Sequence, residues 1–182
     1  QLYVAGDFNG WTANGNLMTE TFSGSGIWQA SLNMGTGRHE FKVTQGDWGW
    51  NVPSSGNSWL YTDGSGNVTI TYDANSYFDI WVPASGRIGV DVDPGAWTAV
   101  GDWQGWNNAD PATAMTYMGG GIYQLGYYFT AGTYQFKAVN TGTWDAIGAD
   151  SRGVNAATYS FTVENGWDLL VVNALDGSIA VI

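Results

Sequence analysis

The chain has no cysteine and one histidine among 182 residues. Disulfides and thiolate metal sites are therefore excluded. With no second histidine or thiol to join it, His39 supports neither a nucleophilic triad nor a metal cluster. Cysteine usage leaves the compartment open. Glutamate is also scarce. Glu20, Glu40 and Glu164 fall in no recognisable motif, and a glycosidase needs two carboxylates facing each other across a cleft. The expectation is a non-enzymatic protein with no cofactor. Basic residues number 5 against 16 acidic ones, giving a formal net charge of -11. Such a surface repels phosphate backbones and anionic membranes, so nucleic acid is not an expected partner. No apolar run reaches the roughly 18 residues of a membrane-spanning helix, so membrane insertion is not expected either.

What is abundant is glycine, with 27 residues, together with 11 Trp, 10 Tyr and 7 Phe; the hydrophobic fraction of 44% suffices for packed cores. Short β-branched and aromatic runs separated by Gly, Asn, Asp and Ser read as strands and turns, hence an all-β protein. The chain also repeats itself. Gly6-Asp7-Phe8-Asn9-Gly10-Trp11 returns as Gly101-Asp102-Trp103-Gln104-Gly105-Trp106, an offset of 95. Gly26-Ile27-Trp28-Gln29 returns at that offset as Gly121-Ile122-Tyr123-Gln124, and Gly37-x-x-x-Phe41-Lys42 as Gly132-x-x-x-Phe136-Lys137. The register then slips, to 96 for Trp48 and Trp144 and to 91 for Gly86-Arg87-Ile88 and Gly177-Ser178-Ile179, as loop insertions allow. Two tandem immunoglobulin-like β-sandwich modules are expected, residues 1–94 and 95–182, divided at the Asp93-Pro94-Gly95 turn with almost no linker. Expected strands include residues 77–82, whereas residues 144–148 read as a loop.

The only two lysines, Lys42 and Lys137, occupy equivalent repeat positions. Each follows a phenylalanine, so ring and ammonium point to opposite faces of a strand. Each also precedes a tryptophan by about seven residues and lies downstream of a turn tryptophan. A pair of indoles with an ammonium suits a sugar, because indole covers the apolar C–H face of a pyranose and the ammonium donates to hydroxyls. The competing reading is structural: Trp11 and Trp106 plug the sandwich ends, and the lysines are solvated strand positions.

These segments, Gly6 to Trp11, then Gly37 to Lys42 and Trp48, and their second copies, resemble the starch- and glycogen-binding sandwich modules. That family includes the glycogen-binding domain of AMP-activated kinase, amylase starch-binding domains, bacterial pullulanase modules and outer-membrane starch-binding proteins of gut Bacteroidetes. The resemblance implies an α-glucan platform of Trp11, Lys42 and Trp48 in the first copy and of Trp106, Lys137 and Trp144 in the second. Trp103 is an additional ligand-binding candidate, and Trp50 competes with Trp48. The implied partner is a polysaccharide of α-glucan type.

Other features are read as structural. Asp91, Asp93, Asp145 and Asp150 lack the spacing of a known calcium loop and are expected to be turn carboxylates. Asn67-Val68-Thr69 is an isolated sequon. The acidic, lysine-poor composition and the first residue, Gln1, favour an extracellular or cell-surface protein with a leader removed. Strands at both ends and few guarding charges also suit a rival role, a self-assembling subunit of an extracellular filament or surface layer, with homopolymer contacts.

Overall fold

The computed structural model describes residues 1–182 and contains strands, turns and 3-10 segments of three residues. The protein is all-β. Its first sheet contains β1 (Leu2–Gly6), β2 (Asn16–Glu20), β3 (Ile27–Asn33), β4 (Gly37–Thr44), β5 (Asn51–Val52), β6 (Ser58–Thr62), β7 (Asn67–Asp73) and β8 (Arg87–Val90). β2 changes partner midway: Leu17 and Met18 pair with β1, whereas Thr19 and Glu20 pair with β3. The sheet thereby folds over itself. Val4, Phe41, Val43 and Leu60 from one layer meet Ala30, Val68, Ile70 and Ile88 from the other, all buried.

The remaining strands form two sheets. β9 (Trp97–Gly101), β12 (Gly132–Asn140), β13 (Asp145–Gly148), β14 (Ser151–Val154) and β15 (Tyr159–Val163) make one; β10 (Thr116–Gly119), β11 (Ile122–Phe129), β16 (Gly166–Asn173) and β17 (Ser178–Val181) make the other. They enclose Trp97, Phe129, Phe136, Ile147, Leu170 and Ile179. One pairing register occurs twice. Gly6 and Ala5 oppose Phe41 and Lys42 across β1 and β4, and Gly101 and Val100 oppose Phe136 and Lys137 across β9 and β12. β7 against β8 and β16 against β17 likewise pair Tyr72 with Ile88 and Val172 with Ile179.

Two expectations are corrected. Residues 77–82 are not a strand. Asp79 closes a turn by accepting from the Trp81 amide, Arg87 grips Asp79 and stacks 4.4 Å above the Tyr77 ring, and only Val82 makes an isolated bridge, to Ile179. Residues 145–148, expected as loop, are β13, and the β13–β14 hairpin belongs to the second group of sheets.

That hairpin packs against β6, which serves two cores. Leu60 points into the first core, while Trp59, its neighbour in a period of two, is fully buried in the second. Trp59 Nε1 donates to the Ala146 carbonyl at 2.9 Å, its ring lies 5.7 Å from that of Trp97, and the Arg152 guanidinium stacks on it at 4.3 Å. Around it, Arg38 donates two bonds to the buried Asp145 carboxylate, at 2.8 and 2.7 Å, and Tyr61 donates a third at 2.7 Å. Ser58 Oγ donates to the Arg152 carbonyl, and Ser151 Oγ accepts from the Ile88 amide. Burial and Asp145 together raise the Tyr61 pKa, burial being the larger cause.

The burial of Trp59 and the bonds that cross this seam are expected to couple the sheets into one cooperative unit. Calorimetry is expected to show a single unfolding transition. Trp59→Ala, removing a filled aromatic volume from the seam, costs about 3–5 kcal/mol and lowers that transition as a whole. Two separate transitions in the unmodified protein would contradict this.

Candidate ligand-binding depression

The turn after β9 is built for one conformation. Gly101 is extended, and a Cβ there would lie 2.3 Å from both the Gln135 carbonyl oxygen and Trp103 Nε1, so only glycine fits. Asp102–Gln104 form a 3-10 turn. Asp102 accepts from the Gln135 amide at 3.1 Å, which ties the turn to β12. Gly105 at φ 71° and Trp106 at φ 57° then reverse the chain in the left-handed region. For tryptophan that conformation costs on the order of 1–2 kcal/mol. The Trp106 amide donates back to Gly101 O at 3.0 Å, and the ring packs over Val100, Val139, Ala146 and Ala156 on the outward side of the β9–β12–β13 sheet.

Lys137 lies on that same outward side, because Phe136 and Ala138 face the core. Its ammonium donates to Asn155 Oδ1 at 2.6 Å and to the Ala156 carbonyl at 3.0 Å, and sits 5.5 Å from the centre of the Trp144 ring. Only 5% of the residue is exposed. Burial lowers its pKa from the ordinary 10.5, against a smaller opposing pull from Asp150. An ammonium has three donors, so one remains for a ligand, as does the Asn155 amide NH2. Trp106, Lys137, Trp144, Asn155 and Thr158 line an open depression of about 480 Å3. Trp144 is 40% exposed at its edge.

The first-copy candidates have the same turn without the same depression. Gly6 is extended, Gly10 and Trp11 have φ 64° and 60°, and Asp7 accepts from the Glu40 amide at 3.0 Å. The Lys42 ammonium, however, donates to the Pro53 and Gly56 carbonyls at 2.6 and 2.5 Å. No side-chain acceptor corresponds to Asn155 there, and none of the principal depressions is lined by Trp11, Lys42 or Trp48. Trp48 is 45% exposed in the bend after β4, while Trp50 turns inward to pack edge-on against Tyr72. Trp103 also lies elsewhere: its ring packs 4.5 Å from that of Tyr127 and 5.5 Å from that of Phe129, and its buried Nε1 has no partner.

Sequence reasoning missed Asn155 and Thr158, eighteen and more residues beyond the lysine. The one local signal is an Asn beside small residues, a type that tolerates the left-handed φ of 51° found at Asn155. The carboxylates expected in turns bond to their own chain. Asp91 accepts from the Thr69 amide, Asp93 from the Gly95 amide, Trp97 Nε1 and the Tyr123 hydroxyl, and Asp150 from the Ala157 amide. Asp145 belongs to the seam. His39 is bonded to Asp7 and the Gly35 carbonyl.

No family model and no curated protein matches the sequence. Among solved structures, the chain is similar to SusF from Bacteroides thetaiotaomicron, with 18% identity, a TM-score of 0.38, and coverage of 99% of this chain and 47% of that one. It is also similar to the pullulanase from Bacillus acidopullulyticus, with 13% identity, a TM-score of 0.35, and coverage of 99% and 28%. The chain thus spans less than half the length of either.

Because Lys137 has a lower pKa folded than unfolded, the unfolded chain holds more proton between the two values, and stability from this group rises with pH across that window. Lys137→Met removes the dependence. The stability difference between unmodified protein and variant, from urea titrations at pH 8 and pH 10, is expected to shift in favour of the unmodified protein at the higher pH. Comparison with the variant cancels tyrosine ionisation. No shift would show that the ammonium is solvated.

Proposed function

We propose that the protein is a non-catalytic carbohydrate-binding module that takes a neutral, α-glucan-type polysaccharide on the Trp106 depression. The observation that carries this reading is the juxtaposition of two indoles with a buried lysine whose ammonium is held by Asn155 and the Ala156 carbonyl. An indole face gives a pyranose its apolar contact, and the spare ammonium and carboxamide donors meet its hydroxyls. A shallow, open site suits a chain polymer, and a neutral ligand escapes the repulsion of a net charge of -11. The sequence resemblance to starch- and glycogen-binding modules points to the same class, and an extracellular or surface location fits such a ligand.

The repeated turn and register support descent of residues 1–94 and 95–182 from one duplicated immunoglobulin-like module, with binding concentrated in the second. In the first, Lys42 is committed to backbone carbonyls. Self-assembly has less behind it: the edge strand β8 is capped by the bond from Val90 N to Leu175 O, and the edge strand β10 carries a bulge between Tyr117 and Gly119.

In native gels containing amylopectin the protein is expected to be retarded. Trp106→Ala and Trp144→Ala are each expected to weaken retardation about tenfold or more, the equivalent of about 1.4 kcal/mol. Trp48→Ala is expected to change it less than about twofold, within the usual range for a side chain outside a binding site. Absence of retardation in amylopectin and glycogen alike would overturn the assignment.

A further inference from the structure

A second depression, of about 530 Å3, opens at the end of the first sandwich. Trp28 and Tyr72 are cross-strand partners on β3 and β7, at the edge of the first core. Trp50 stands edge-on to Tyr72, their ring centroids 5.9 Å apart at 76°. Gln1 and Gln45 add carboxamides to the aromatic walls, and no side chain in the lining carries a charge. The volume lies within the range of about 300–1,000 Å3 typical of small-ligand sites.

We propose that this depression is a second sugar site, taking a single neutral pyranose unit of an oligosaccharide. The lining chemistry selects the occupant. A cation would find no carboxylate in the lining, and an anion no lysine, arginine or histidine side chain. A wholly apolar occupant would offer no partner to the Gln45 carboxamide or to the Gln1 NH2, whose carboxamide oxygen already accepts from the Tyr3 hydroxyl. A sugar ring has an apolar C–H face for the aromatic walls and equatorial hydroxyls for the amides. The site does not depend on the Trp106 depression. It sits where the inward residues of β3 and β7 end, whereas Trp106 lies on the outward side of β9 and β12.

The test is two-dimensional NMR of the tryptophan indole N–H signals in the Trp106→Ala protein, titrated with maltoheptaose, cellohexaose and chitohexaose. Trp28 and Trp50 signals are expected to move saturably with at least one of these, at about millimolar concentration. Gln45→Ala, at an exposed position, should weaken that binding about threefold or more, and Trp50→Leu about tenfold, provided it folds. Signals unmoved by all three sugars would overturn the proposal. So would equal or larger movement with N-acetyltryptophanamide, which marks the depression as an apolar docking point. Because Trp106 is already removed, neither result depends on the amylopectin assay, and either site can fail alone.

Discussion

The structure depends most on the insertion of Trp59 between the two groups of sheets. A strand whose alternate residues feed separate cores cannot slide by one position without expelling Trp59 from one core and Leu60 from the other. The register of β6 is therefore fixed from both sides. Arg152, fully buried over the indole, leaves its Nε and one terminal nitrogen without partners. Burial pulls its pKa down to about 9, only partly offset by Asp93, Asp145 and Asp176. A desolvated guanidinium is expensive to keep. It is tolerated because stacking on Trp59 and bonding to the Ala174 carbonyl hold it where the two groups of sheets meet.

The same rigidity positions the candidate site. β13, which shares the seam through Asp145 and Ala146, is also the strand whose outward residue Ala146 supports Trp106. Trp144, immediately before it, and Asn155, immediately after β14, are thus anchored by the hairpin that grips β6. The Asn155 amide donates to the Trp144 carbonyl at 2.7 Å, closing the two ends of that hairpin together. Disturbing the seam would reach the depression through this one element.

Much of the framework was legible because it obeys local rules. The Gly-Asp-aromatic-x-Gly-Trp turn announced itself by glycines whose positions leave no room for a Cβ or demand a left-handed φ, and the Phe-Lys pair by its period of two. What escaped was set by distant contacts. β6 carries Trp59 and Leu60 side by side, both buried, which breaks the polar alternation of a half-buried strand. Residues 145–148 contain an aspartate and a glycine that read as loop until Arg38, 107 residues earlier, neutralises the carboxylate and the Tyr61 hydroxyl donates to it. Conversely, residues 77–82 have strand composition but are held as a loop by Arg87 and Asp79. Six of the seven candidate site residues, all but Trp103, fall at equivalent repeat positions in two sets of three. Their divergence rests on the segments that receive the lysines, residues 53–56 in one case and 155–156 in the other, where sequence similarity has already lapsed.

All five cations of this chain are occupied within the fold. Arg38 serves the seam, Arg87 the 77–82 loop, Arg152 the interior, and Lys42 and Lys137 donate to carbonyl or carboxamide oxygens. A protease that cuts after lysine or arginine consequently has no target on a free loop and must wait for the structure to open. For a protein with so few basic residues, all of them in strands, the rate of tryptic cleavage reports the opening of those strands.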